Sequence, residues 1–416
     1  MTGKKRVVVT GMGTLNPCGS TVEETWQNII AGNSGIDTIT LFDTSRLNVH
    51  IGGQVKKFDP AKYMDTKEAR RRDRFCQLAV AATKLALEDS GLVITEENAD
   101  DIGCIYGTAV GGLKSFFDAS VVDVTDGPRK LHPFSIPMTI ADGASGSIAI
   151  DWNIRGPNFA PVSACSAGAD AIGLSYQAIL LGQAKAMVCG GSETPLIEIG
   201  IGAFDRLGAM SHNNDDPKHA CRPFDANRDG LVMGEGAATL ILEDLDYALA
   251  RGANIYAEIV GYGCTSDAFH VTAPAENGVG AARAMKRSLE NAELQVTDID
   301  WISAHATATA LNDKYESIAI KSVFGARAYK IPISGTKSMT GHMMGATGAL
   351  EVIFGIKAIE TSTLPPTINF ESGEMPDCDL DYVPNKARPQ KVNTFMSNAF
   401  GFGGHNSVLI VKRFVA

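Results

Sequence analysis

Pro161-Val162-Ser163-Ala164-Cys165-Ser166-Ala167-Gly168-Ala169-Asp170-Ala171-Ile172-Gly173 places a cysteine where a short apolar run stops and small residues begin. The small residues continue at helical spacing through Leu174, Ile179 and Leu180. The stretch therefore reads as a strand, a sharp turn and a buried helix, with Cys165 at the turn. The first amides of a helix lack intrahelical partners and carry partial positive charge. A thiol placed there is expected to ionise more readily, and the thiolate is the nucleophilic form. The same amides can hold an oxyanion at an attacked thioester carbonyl. The competing reading is a structural cysteine packed as a small hydrophobe, and this stretch alone leaves both open.

Working outward, the chain shows one order of elements twice. Arg6 to Gly13 reads as a buried strand ending in a glycine turn, Thr21 to Ala31 as a helix closed by Gly32, Gln77 to Leu92 as an amphipathic helix, and Ile102 to Gly107 as a strand leading into Thr108-Ala109-Val110. In the second half, Ala257 to Gly263 matches the first strand, Gly280 to Leu294 the amphipathic helix, and Asp298 to Ile302 the strand that begins at Asp101. Gly341 to Ile359 stands where the helix after Cys165 stands, and Ser397 to Val411 mirrors the Gly190–Leu242 region. A repeat this long is a duplicated α/β half rather than a solenoid unit. The expected division is 1–255 and 256–416, with the site where the halves meet. Gly11-Met12-Gly13 is not a dinucleotide fingerprint, because Asn16 holds the third glycine position and Pro17 follows.

Composition narrows the function. The chain has 416 residues, 44% of them hydrophobic, and a formal net charge of −10. That balance argues against nucleic-acid binding, so an acidic partner has to dock on a local basic patch. Lys67, Arg70, Arg71, Arg72 and Arg74 form one such cluster against Glu68 and Asp73. The eight cysteines are scattered with no C-x-x-C pair, which points to reduced thiols in the cytoplasm and no metal site. Lys4, Lys5 and Arg6 precede an apolar run too short for a signal peptide, and no apolar stretch reaches the length of a membrane span.

Three stretches in the second half join Cys165: Ser303-Ala304-His305-Ala306-Thr307-Ala308-Thr309, Gly335-Thr336-Lys337-Ser338-Met339-Thr340-Gly341-His342 with Glu351 beyond it, and Ser397-Asn398-Ala399-Phe400-Gly401-Phe402-Gly403-Gly404. With them the chain, over essentially its whole length, resembles the β-ketoacyl-[acyl-carrier-protein] synthases, the type II elongating enzymes above all. Cys165 matches the family's A-C-x-x-G cysteine, His305 its first histidine, Lys337 to His342 its K-S-x-x-G-H, and Gly401 to Gly404 its glycine-phenylalanine loop.

The resemblance implies an α/β thiolase-like fold, its duplicated halves forming a five-layered αβαβα core. It also implies decarboxylative Claisen condensation of malonyl carrier with an acyl chain held on Cys165. By the same resemblance the amides of Cys165 and Phe402 are the oxyanion donors, Gly401 and Phe402 form the gate, and His305 and His342 stabilise the enolate. Lys337, supported by Glu351, supplies positive charge. Thr307, Thr309, His270, Val110, Phe204 and Ser135 are the implied pantetheine or substrate contacts, and Lys67, Arg70 and Arg71 the implied carrier dock. No cofactor is expected beyond the phosphopantetheine arm of the acyl carrier protein. The implied assembly is a homodimer, or a heterodimer with a chain-length-factor-like subunit. His50, His132, His212 and His219 sit in polar stretches and are read as bland.

The chain departs from the family pattern at several points. Ala306 stands for glycine, Ala310 for proline, Asn312 for glycine and His405 for threonine. Ser135 replaces an aromatic that in relatives closes the acyl pocket across the dimer, and Asp142 falls in a region normally uncharged. A smaller residue at 135 leaves room for an atypical chain, such as a polyketide or polyene intermediate. A degradative thiolase would carry a second cysteine near residues 401–406, and a chain-length factor would lack Cys165. A synthase acting on coenzyme A esters would not need the basic patch.

Overall fold

The computed structural model describes residues 5–416, so Lys4 of the basic start lies outside it. Its frame is a ten-stranded sheet. The strands are β1 Val7–Leu15, β2 Ile102–Gly107, β3 Asn158–Phe159, β4 Ala186–Glu193, β5 Gly236–Asp244, β6 Ala257–Ser266, β7 Trp301–Ser303, β8 Ile333–Ser334, β9 Thr394–Gly401 and β10 His405–Arg413. They lie in the order β8-β7-β9-β10-β6-β1-β5-β4-β2-β3. Strands from residues 7–244 fill one end and strands from 257–413 the other, each in the same relative order. The ends are joined where Val7, Val8 and Val9 pair antiparallel with Ile259, Glu258 and Ala257.

The sequence explains the long strands: β1 and β4 are buried at every position, as near-continuous apolar and small-residue runs require. The main helices are α1 Arg74–Ser90, α2 Ala167–Leu180, α3 Val279–Ala292, α4 Ala310–Phe324 and α5 Thr347–Thr361. Helix α1 starts where the Asp73 carboxylate accepts from the Phe75 amide, and it stops at Gly91 in the left-handed region. Helices α2 and α5 carry apolar residues on nearly every face and share one core with strands from both ends of the sheet. Helix α1 covers the first end from outside, and α3 with α4 covers the second. This gives the five layers α-β-α-β-α of the thiolase-like fold. Among the described residues no helix is long and apolar enough to cross a membrane.

Two elements differ from the sequence reading. Cys165 does not end a strand: only Asn158–Phe159 pairs with β2, and 160–163 lead without regular structure into a single 3-10 turn, Ala164–Ser166. Proline at 161 has no amide to continue the ladder. The run from Asp298 is a strand only over Trp301–Ser303, because Val296–Asp298 forms a capped 3-10 turn.

Candidate active site

Cys165 sits at the start of α2, 8% exposed, on a turn whose preceding residue, Ala164, has φ +52°. An alanine in that region is strained. Three other alanine or methionine positions around the site share the feature: Ala306 at φ +47°, Ala308 at +66° and Met344 at +45°. Ala306 thus occupies a conformation that glycine holds without penalty. Its amide is fixed by donation to Glu316 Oε2 at 2.8 Å, beside the His305 amide, which donates to Oε1 at 2.8 Å. Asn398 Nδ2 donates to the same Oε1 at 3.1 Å, so the α4 carboxylate ties the His305 loop to β9.

Cys165, His305, His342, Phe402, Thr307, Thr309, Phe204 and Met344 line one cavity of about 290 Å³ between the two ends of the sheet. The Cys165 Sγ lies 3.9 Å from Met344 Sδ, and the amides of Phe402 and of Cys165 itself stand beside it and favour its charged form. They come from the turn before α2 and from the loop after β9. The ring of Phe402 stacks on Phe204 at 5.9 Å.

Burial pushes the thiol up to about 12; the Lys337 charge and the two amides oppose this, and Glu193 adds to it. The turn therefore does not yield the easily ionised thiol expected from a helix N-terminus, because desolvation outweighs the partial charges.

The two imidazoles meet edge to face, centroids 5.4 Å apart. Burial, then the Lys337 charge, holds both well below the usual histidine range, and His342 lowers His305 further. Both rings are neutral at pH 7. His342 Nδ1 lies 3.1 Å from Thr347 Oγ1, and a ring that accepts there carries its proton on Nε2. That Nε2 is buried without a partner among the described residues, as is His305 Nδ1. The His342 Nε2–H, a buried donor left open in this way, is a costly vacancy that a developing oxyanion can fill.

Lys337 and Glu351 stand behind the cavity rather than in its wall. They form an ion pair of 2.7 Å at 0% and 1% exposure, with the carboxyl pushed up to about 7 by burial against the lysine's charge. Val110, Ser135 and His270 do not line the cavity in the single chain. Val110 is exposed, its amide turned to Glu193. The Ser135 hydroxyl donates to the His132 carbonyl on the outer face. His270 Nδ1 accepts from the amides of Thr272 and Ala273 at 3.1 Å each. Of the basic cluster, Lys67 and Arg70 are exposed. Arg71 pairs with Glu68 and lies over the Phe134 ring. Arg72 and Arg74 are committed to Asp151 and Glu235. His50, His132, His212 and His219 lie away from the cavity wall.

Sequence reasoning missed Glu316 and Glu193, which are isolated acids without a motif. Glu193 accepts from the Thr108 hydroxyl and from the amides of Ala109, Val110 and Gly345, joining the loop after β2 to the turn before α5. Burial pushes its carboxyl up to about 7 from an ordinary 4.5. A folded value above the unfolded one means that its stabilising contribution is full below pH 4.5 and is lost as pH rises through about 7. In urea titrations from pH 4.5 to 7.5, wild type is expected to lose about 3 kcal/mol relative to Glu193→Gln, which cannot ionise. A gap that does not change with pH would remove this assignment.

Residues 4–248 match the family of Beta-ketoacyl synthase, N-terminal domain, and residues 256–371 that of Beta-ketoacyl synthase, C-terminal domain. The chain is 48% identical, over 99% of each chain, to 3-oxoacyl-[acyl-carrier-protein] synthase 2 of Synechocystis sp.. It superposes with TM-score 0.91 and 35% identity on a chain of the ishigamide ketosynthase/chain length factor, covering 99% of this chain and 100% of that one. It superposes with TM-score 0.90 and 33% identity, at the same coverage, on a chain of a type II PKS acyl-carrier protein complex with its ketosynthase bound to the hexaketide. With both domain families matched and near-half identity over its full length, the chain belongs to the β-ketoacyl synthase family of acyltransferases.

Proposed function

We propose that the protein is a 3-oxoacyl-[acyl-carrier-protein] synthase that extends an acyl chain held as a thioester on Cys165. The carrying observation is one cavity that holds a buried thiol, two amides beside its sulfur and a pair of neutral imidazoles. The Cys165 sulfur attacks the acyl carrier thioester, the thiol proton leaves with the carrier's sulfur, and the amides of Cys165 and Phe402 hold the carbonyl oxygen meanwhile. Malonyl carrier then loses CO2. The enolate oxygen so formed accepts from the His305 and His342 N–H groups, whose value is greatest when that charge appears. The enolate carbon attacks the acyl carbonyl, the same amides serve again, and the Cys165 thiolate departs toward the positive potential of Lys337. Thr307 and Thr309, their hydroxyls 2.9 Å apart, are suited to hydrogen-bond the pantetheine arm.

The halves 1–255 and 256–416 are the natural units of this reading, one bringing the sulfur and the other the imidazoles. Eight free cysteines favour a reducing, cytoplasmic setting. A second subunit belongs to it as well. Val110, Phe116, Val124, Ile136, Ile150 and Phe159 are exposed on one stretch of chain that includes the edge strand β3, paired on one side only. Ser135 lies on the same stretch, where it can reach a partner's acyl pocket. An identical copy or a non-catalytic, chain-length-factor-like subunit would cover it.

Intact-protein and peptide mass spectrometry after mixing with acyl carrier tests the reading. One acyl group on Cys165, followed by a product two carbons longer on adding malonyl carrier, is expected. Acylation elsewhere, or none, overturns it. The docking surface has its own test. Lys67→Glu with Arg70→Glu should raise the KM for carrier substrates about tenfold with kcat held, and weaken the salt dependence. Arg71→Glu is expected to do less, because Arg71 is already paired.

A further inference from the structure

The nucleophile turn is held by a carboxylate to which no role has been given above. Asp170, one turn into α2, is 6% exposed. Its Oδ2 accepts from the Ser163 hydroxyl and lies 3.1 Å from Ser166 Oγ, while its Oδ1 accepts from the Tyr262 hydroxyl at 2.7 Å. Ser163 and Ser166 flank the strained Ala164 and Cys165, and the Ser166 amide and hydroxyl both reach the Ser163 carbonyl, at 3.2 and 2.8 Å.

Tyr262 comes from β6, the strand of the second half that pairs with β1 of the first. Its ring lies flat on Gly173 of α2, where even a methyl group would fall 2.4 Å from the ring carbons. Burial and the neighbouring Asp170 push the phenol far above its usual range, so it stays a donor. From the opposite side Gly401 packs on the same turn, its Cα so close that a Cβ would meet the Ser163 carbonyl at 2.7 Å and the Cys165 amide at 3.1 Å.

The two amides beside the Cys165 sulfur therefore come from segments in direct contact. The strain at Ala164 has to be offset by whatever grips the turn.

We propose that Asp170, anchored across the two halves by Tyr262 and gripping Ser163 and Ser166, is a positioning residue that fixes the Cys165 amide toward the reacting carbonyl. This rests on the reading of Cys165 as the acyl acceptor. The proposal separates two partial reactions. Acyl transfer to Cys165 uses the amide pair, whereas loss of CO2 from malonyl carrier uses the imidazole pair, which touches neither Asp170 nor Tyr262.

The experiment compares wild type with Tyr262→Phe and Asp170→Asn in both partial reactions, with thermal unfolding followed in parallel. Tyr262→Phe removes one hydroxyl and keeps the ring on Gly173, so it remains informative should Asp170→Asn fold poorly. Expected is a fall of about tenfold in the rate of Cys165 acylation at saturating acyl carrier, with KM unchanged. Decarboxylation of malonyl carrier should stay within about twofold of wild type. Equal loss of both partial reactions would mark a merely structural role, and wild-type acylation in Tyr262→Phe would show that the anchor is idle. Either overturns the proposal while the proposed function stands. Absence of acylation in wild type itself would overturn both.

Discussion

Cys165→Ala abolishes acyl-enzyme formation and chain extension, by at least about four orders of magnitude, while malonyl carrier continues to be decarboxylated. The separation follows from the layout of the cavity. The sulfur sits beside amides from the turn before α2 and the loop after β9, whereas the His305 backbone is held by Glu316 and the His342 ring by Thr347, on other elements. Alanine removes the sulfur without disturbing those supports, and Met344, 3.9 Å from the sulfur, lines the space left behind. His305→Ala together with His342→Ala is expected to reverse the pattern, with Cys165 still acylated and CO2 release lost. Both rings are held well below the histidine range by burial and Lys337, so CO2 release should show no histidine titration between pH 6 and 8. An inflection near pH 6.5 would mean that charged imidazoles are involved, and the account of them as neutral N–H donors would fail.

The second large effect is on stability. Glu351→Gln leaves the Lys337 ammonium at 0% exposure without its counterion and is expected to cost about 3–5 kcal/mol. Lys337→Met is milder below pH 7, because the carboxyl it abandons is already pushed up to about 7 and can take a proton. The double replacement Lys337→Met with Glu351→Leu should cost less than the sum of the single changes, since it buries no charge at all. Denaturant unfolding of the four proteins measures this coupling. Function is expected to behave differently: every variant lacking Lys337 loses acyl transfer, because the lysine's charge is the largest influence opposing the upward push on the Cys165 thiol. If the double variant regains stability but not acylation, the lysine acts through its field. If it regains both, the pair is only a buried tie.

The sequence placed the cysteine at a turn, repeated its α/β order at a spacing that made two halves plain, and set a lysine and two histidines in the second half. Those are local properties, carried by the period of apolar residues and by small residues where backbones approach closely. The Glu316 cradle under His305, the Glu193 bridge and the Asp170–Tyr262 tie each join residues 10 to 152 positions apart. No spacing rule announces them.

The state of the thiol is not legible in the sequence for a related reason. Helix position is legible in a sequence, but the depth at which the sulfur is buried depends on how both ends of the sheet close over it, and desolvation outweighs the amides. The same holds for the basic cluster. Lys67, Arg70, Arg71, Arg72 and Arg74 look alike in order, yet Asp151 and Glu235, brought from 79 and 161 residues away, take two of them out of the solvent-facing set. Composition and periodicity thus determined which elements form and which chemistry they carry. Only the tertiary structure decided which charges meet and how much water each of them keeps, because both depend on what packs against what.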